Sequence, residues 1–167
     1  MKKNMNQYID KIRTLQQTKE ECVRLKASGG KTVFTNGCFD ILHPGHTRYL
    51  FTARKLGDYL IVALNSDRSV KSIKGSKRPI LNENIRAELI SALGCVDSVL
   101  IFDEDNPLEM IRHLLPDILV KGGDWSEEEI IGADEVKEAG GEVKVIPYIT
   151  GFSTTALINK ILSLHVF

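Results

Sequence analysis

The sequence predicts an α/β fold, a doubly wound, mainly parallel five-stranded sheet with helices on both faces. Three observations carry that prediction. Five short apolar runs of strand length alternate with helix-length amphipathic segments, an order that implies parallel strands joined by crossovers. The runs are apolar almost throughout, as in strands covered on both faces. Polar motifs follow four of the five runs, where open α/β sheets form their ligand crevices.

The elements follow in order. From Asn6 to about Ala27, Ile9, Ile12, Leu15, Cys22, Val23 and Leu25 recur at roughly helical spacing, and Ser28-Gly29-Gly30 ends the pattern. A first strand is expected at about 32–36, then a helix from His43 to Leu56 burying Tyr49, Leu50, Ala53 and Leu56. Gly57 stops that helix, and Asp58–Leu64 reads as a second, fully buried strand. Residues 66–82 carry Arg68, Lys71, Lys74, Lys77 and Arg78 without apolar periodicity and read as a loop. Asn82 is placed to cap a helix with Ile85, Leu89, Ile90 and Leu93 as its inward stripe. Ser98–Phe102 is the third strand, and Asn106-Pro107 opens a helix with Ile111, Leu114 and Leu115. Asp117–Lys121 is the fourth strand, a short helix lies near 127–139, and Glu142–Pro147 is the fifth strand. The last helix is capped by Ser153 and is expected to bury Leu157, Ile158, Ile161 and Leu162. The pattern is Rossmann-like: a helical extension over 1–30, then one globular domain over 31–167, with no internal repeat.

Composition narrows the class. The 22 basic and 22 acidic residues cancel, so no global field favours nucleic acid or a membrane surface, and anion binding must come from local clusters. Cys22, Cys38 and Cys95 are few, odd in number and far apart, which fits a reduced cytoplasmic protein better than a disulfide framework. Met1-Lys2-Lys3 is followed by no apolar run, so a signal peptide is not expected, and no apolar stretch is long enough for a membrane span.

The run Thr35-Asn36-Gly37-Cys38-Phe39-Asp40-Ile41-Leu42-His43-Pro44-Gly45-His46 is the most informative stretch. A strand ends in a tight turn, and two histidines three residues apart open a helix. Pro44 suits the first helical turn, and Gly45 permits close approach of a ligand or a backbone segment. The spacing puts His43 and His46 on one face, beside unsatisfied N–H groups and the positive end of the helix dipole. Imidazoles aimed at an anion site point to phosphate chemistry. Asn65-Ser66-Asp67, Lys121-Gly122-Gly123-Asp124-Trp125 and Thr150-Gly151-Phe152-Ser153-Thr154-Thr155 follow other strands, and topology brings them to the same sheet edge.

The twelve-residue block resembles the His-x-Gly-His signature of the cytidylyltransferase-like nucleotidyltransferase superfamily. In detail it is most similar to the D-glycero-D-manno-heptose 1-phosphate adenylyltransferases of ADP-heptose synthesis. Ala53-Arg54-Lys55-Leu56-Gly57-Asp58, Asn65-Ser66-Asp67, Leu119-Val120-Lys121-Gly122-Gly123-Asp124 and Ser153-Thr154-Thr155 extend the resemblance over nearly the whole chain from about Lys11. It implies adenylyl transfer from ATP, with Mg²⁺ bound with the nucleotide, to a heptose 1-phosphate, with pyrophosphate released. Glycerol-3-phosphate cytidylyltransferase is the alternative within the class, and a nucleotide-binding module without turnover is the alternative outside it. A homo-oligomer is left open, and nucleic acid and membrane are not expected partners.

The resemblance also implies roles for individual residues. His43, His46 and Lys74 are the catalytic candidates. Thr35, Asn36, Gly37, Cys38, Phe39, Gly45, Lys77, Gly123, Asp124, Ser153, Thr154 and Thr155 are candidates for the nucleotide, and Asp40, Asn65, Lys71 and Lys121 for the acceptor. No residue set is expected to hold a metal apart from the nucleotide. For several of these a plainer reading stands alongside: Ser153 as a helix cap, Asp40 as a backbone cap, the two glycines as a turn, the lysines and Arg86 as solvated surface. Family members often carry an arginine a few residues before Ser-Thr-Thr, and this chain has Tyr148 there, which puts that contact in question.

Overall fold

A computed structural model describes residues 7–147 and 151–164. Five parallel strands, β1 (Thr32–Gly37), β2 (Tyr59–Asn65), β3 (Ser98–Phe102), β4 (Ile118–Gly122) and β5 (Glu142–Ile146), lie in the order β3-β2-β1-β4-β5. The chain winds outward from β1 to one edge and then returns to build the other. The switch point therefore falls at β1, between β2 and β4. Among the described residues seven α-helices accompany the sheet: α1 (Leu15–Ala27), α2 (Pro44–Arg54), α3 (Asp67–Lys74), α4 (Glu83–Ser91), α5 (Leu108–Leu114), α6 (Ala133–Glu138) and α7 (Thr154–Ser163).

Alternation along the strands splits the core into two layers. Phe34, Ile61, Ala63, Leu100 and Leu119 pack on one face with Cys22 of α1, Ile111 and Leu114 of α5 and Val136 of α6. Val33, Leu60, Val62, Leu64 and Val99 pack on the other with Leu50 and Ala53 of α2 and Ala87 and Ile90 of α4. Each fully buried Leu, Ile or Val adds about 1.5–3 kcal/mol of apolar burial, so the inner strands form the most stable part of the sheet.

Four expectations are corrected. The first helix does not run from Asn6: a 3-10 turn at Ile9–Lys11 precedes α1, which Thr14 starts with a capping box to Gln17. Between them Ile12 bridges Val99, so this stretch extends the sheet's surface instead of a helix. The loop expected at 66–82 contains α3, capped by Ser66, whose side chain accepts from Ser69 N. On α4 the inward face is Arg86, Ala87, Ile90 and Ser91, while Ile85 and Leu89 are exposed beside Tyr8. In α7 no residue is buried: Leu157 and Ile158 are half-buried, and Leu162 is 62% exposed.

Among the described residues no helix is long and apolar enough to cross a membrane, and all three cysteines are free.

Candidate active site

The sheet opens where the switch point predicts. β1 pairs with β2 as far as Gly37 and Leu64, but with β4 only as far as Thr35 and Val120. Asn36 and Lys121 lie just beyond the last β1–β4 pair, and Lys121 Nζ donates to Asn36 Oδ1 at 3.2 Å across the gap. The Lys121 ammonium is half-buried and its pKa is lowered by burial. A cation in that setting, held by an amide oxygen, gains most from an approaching anion.

His43 is the N-cap residue of α2 and His46 sits in its first turn. Their rings stack, with centroids 3.7 Å apart and planes 17° from parallel, and Phe39 meets His46 edge-on at 5.2 Å. Burial lowers both pKa values, that of His46 to about 4 with the neighbouring His43 as a second cause. Both rings are therefore neutral at pH 7. Both Nδ1 atoms are buried without a hydrogen-bond partner among the described residues. Nε2 is then the ring nitrogen left to meet a ligand, and a neutral ring protonated there donates to it.

Glycines admit this geometry at two positions. A Cβ on Gly45 would lie 2.9 Å from the His43 ring and 3.2 Å from Phe152 Cβ, and one on Gly37 would lie 2.9 Å from the Phe39 ring. Phe39 itself has φ +42°, a left-handed turn that folds its ring back over the end of β1. Phe152 stacks near His43, with Arg48 5.6 Å above its ring. Thr154 Oγ1 donates to Ile41 O at 3.5 Å. The start of α7 is thus brought to the histidine pair, as topology predicts. Ser153 Oγ accepts from Ala156 N as an N-cap, and Thr155 is exposed.

Three residues expected to meet substrate are used inside the protein. The Thr35 hydroxyl is fully buried and bonded to Tyr49 Oη at 2.6 Å. Asn65 gives its amide to Ser69 Oγ at 3.0 Å and holds Cys38 Sγ at 4.0 Å from its Oδ1. Asp40 is buried and accepts from Arg78 Nε at 2.6 Å and from Ile80 N and Leu81 N at 2.9 Å. Burial pushes its carboxyl up, but the Leu81 and Ile80 N–H groups and the Arg78 guanidinium outweigh this and hold it below the usual carboxylate range. Each of these side chains has a polar partner inside the protein.

Lys71 and Lys74 of α3 and Lys77 beyond it are all exposed, and Lys74 acts most strongly on Cys38. Burial pushes the Cys38 thiol up, and the charges of Lys74, Arg86 and Arg78 offset that only in part. Gly123 is buried with φ +127° and donates its N–H to Ile146 O at 3.0 Å, while Asp124 and Trp125 are exposed beyond it. Tyr148 and Thr150 lie outside the described residues. Arg86 and Arg78 are the residues that sequence reading undervalued: an arginine on a helix face or in a polar connection ordinarily signals surface, and the Asp67 and Asp40 partners are distant in sequence.

A family model described as cytidylyltransferase-like matches residues 34–163. The chain is 51% identical over 152 residues to the bifunctional protein HldE of Trichlorobacter lovleyi, covering 91% of this chain and 31% of that protein. It is 57% identical over 137 residues to the bifunctional protein HldE of Hyphomonas neptunium, covering 82% and 28% respectively. Among solved structures, the lipopolysaccharide core biosynthesis protein from Thermoplasma volcanium GSS1 matches with a TM-score of 0.59 at 34% identity, covering 72% of this chain and 98% of that one. The chain belongs to the cytidylyltransferase-like family, and the matched stretch takes in the whole sheet from Phe34 onward and both histidines. It spans about 31% of the length of the curated relative matched over 152 residues.

Proposed function

We propose that this domain transfers the adenylyl group of Mg²⁺-bound ATP to D-glycero-D-manno-heptose 1-phosphate, giving ADP-heptose and pyrophosphate. The observation that carries the reading is the neutral, stacked His43–His46 pair at the N-terminus of α2, beside the crevice where β1 and β4 part. The choice of acceptor and base follows from the likeness to the bifunctional HldE proteins, at 51% identity over 152 residues of this chain, and from the Thr35–His46 block.

An acceptor phosphate is already ionised at neutral pH, so its oxygen needs no strong general base. It attacks the α-phosphorus in line, that P–O bond forms, and the bond to the departing pyrophosphate breaks. Catalysis then rests on alignment and on charge stabilisation. The two Nε2–H groups and the Gly45 N–H at the start of α2 donate to the α-phosphate oxygens as charge grows on them. Lys74, with Lys71 and Lys77 flanking it, faces the β- and γ-phosphates, and the start of α7 closes the far side. Lys121 and Asn36 receive the acceptor phosphate. Mg²⁺ enters with the nucleotide, as part of the substrate. The three free thiols agree with a cytoplasmic site of action.

A stereochemical experiment tests the single displacement. With one diastereomer of ATPαS, direct attack inverts configuration at the α-phosphorus. Retention would require a covalent adenylyl-enzyme and would overturn this mechanism. The Cys38 thiol, raised by burial, is a poor candidate for such a nucleophile.

A further inference from the structure

Arg86 is the largest fully buried side chain of the described residues, and its guanidinium has three acceptors. Nε donates to Leu81 O at 3.0 Å, one terminal nitrogen to Cys38 O at 2.7 Å, and the other to Asp67 Oδ1 at 2.8 Å. These acceptors belong to three separate segments: the loop before α4, the turn after β1, and the first residue of α3. A second ion pair lies close by in sequence. Arg78, at the far end of the lysine-bearing stretch, reaches the same turn through Asp40.

The stretch from Asp67 to Arg78 is thus fastened at both ends to the Cys38–Asp40 turn. Between the fastenings, residues 71–77 are exposed, and Gly75 ends α3 with φ +93°. The two clamps are reciprocal. In one the stretch supplies the acid, Asp67; in the other it supplies the base, Arg78. Arg86 also fixes a peptide plane. Because a trans peptide points its C=O and N–H in opposite directions, holding Cys38 O toward Arg86 turns the Phe39 N–H the other way. That N–H has no protein acceptor among the described residues.

We propose that Arg86 is a positioning residue for the nucleotide, setting the Cys38–Phe39 peptide and the Lys71–Lys77 stretch in one fixed relation. Its guanidinium touches no reacting atom. It makes the anion-binding turn and the cationic strap a single rigid unit, so the nucleotide meets both without ordering either. A lysine cannot replace it, since one ammonium cannot serve three acceptors in a planar fork. The proposal rests on the nucleotide-binding reading given above.

The test is calorimetric titration of the whole chain with Mg²⁺-ATP, with Tm measured in parallel. Asp67→Asn is the main variant, because Asp67 is half-buried where Arg86 is fully buried and the amide keeps an acceptor oxygen. Arg86→Lys is the second. Asp67→Asn is expected to keep its fold and to weaken nucleotide binding by about tenfold, and Arg86→Lys by more, with guanidinium ion partly restoring binding to Arg86→Ala. In turnover the loss belongs in the KM for ATP, whereas a merely structural role would show as lowered Tm with unchanged affinity in the folded fraction. Wild-type affinity in Asp67→Asn and in folded Arg86→Lys overturns the positioning role alone. A wild-type chain that binds no nucleotide overturns the function proposed above and this inference with it.

Discussion

The His43 and His46 rings stack face to face at 3.7 Å, 17° from parallel. Two imidazolium cations would not settle there. Stacking and burial both favour neutral rings. The pair is prepared to donate hydrogen bonds to a phosphate without first giving up a proton.

That arrangement makes His46 the side chain on which turnover should depend most. His46→Ala is expected to lower kcat by about 10²–10⁴-fold while Tm stays near the wild-type value. Steady-state kinetics beside thermal unfolding checks both parts. Near-normal kcat in a folded variant would remove the histidine from the mechanism.

Gly45 offers a smaller perturbation of the same geometry. A methyl at this position must displace the His43 ring, Phe152 or both, from contacts of 2.9 and 3.2 Å. Gly45→Ala is therefore expected to cost about 10²-fold in kcat, with little loss of stability because the site is half-exposed. Unchanged kinetics would mean that the ring positions tolerate a shift.

Stability should depend on pH with a defined sign. His46 titrates near 6.5 when unfolded and at about 4 when folded. Between those values the unfolded chain binds more protons, so stability rises with pH. The contribution is fully present above the unfolded value and is lost as pH falls to the folded one. Urea midpoints measured across that window should fall with acidity, and less steeply in His46→Gln. His43 shifts in the same direction, so some slope remains. Equal slopes in variant and wild type would contradict the buried neutral ring.

Asp40 is expected to matter to the fold before it matters to the substrate. Its side chain is fully buried and paired with Arg78, which is 17% exposed. Asp40→Ala strands that guanidinium and the Ile80 and Leu81 N–H groups, at a cost of about 3–5 kcal/mol. Urea unfolding gives the number. A loss well under 1 kcal/mol would show that the pair behaves as a solvated one.

What the sequence disclosed, and what it hid, follows from the range of the interactions. Strand runs, the Asn82 cap and the Asn106-Pro107 helix start are local signals, and the structure has all of them, with strand ends within a residue of the reading. So is the block from Thr35 to His46, where strand, turn and helix start adjoin in sequence. The α3 helix was hidden because only Val70 and Ile73 are apolar in it, although Ser66, Asp67 and the terminal lysines are a cap and a charge pattern suited to a helix. Arg86 was hidden for a different reason. Its burial depends on Cys38, 48 residues away, and on Asp67, 19 away, and periodicity assigns the inward face to Ile85 and Leu89 instead. Thr35 and Asn65 look like site residues at strand ends, and only Tyr49 and Ser69 reveal that their polar atoms are already taken.

The measurement that bears most directly on the account is pyrophosphate release from the purified chain with Mg²⁺. ATP, CTP, GTP and UTP would each be tried against both anomers of the heptose 1-phosphate and against glycerol 3-phosphate. Release with ATP and one heptose 1-phosphate anomer, with ADP-heptose as the product, is the predicted result. Release with CTP and glycerol 3-phosphate instead, or none with any pair while ATP still binds, would contradict it.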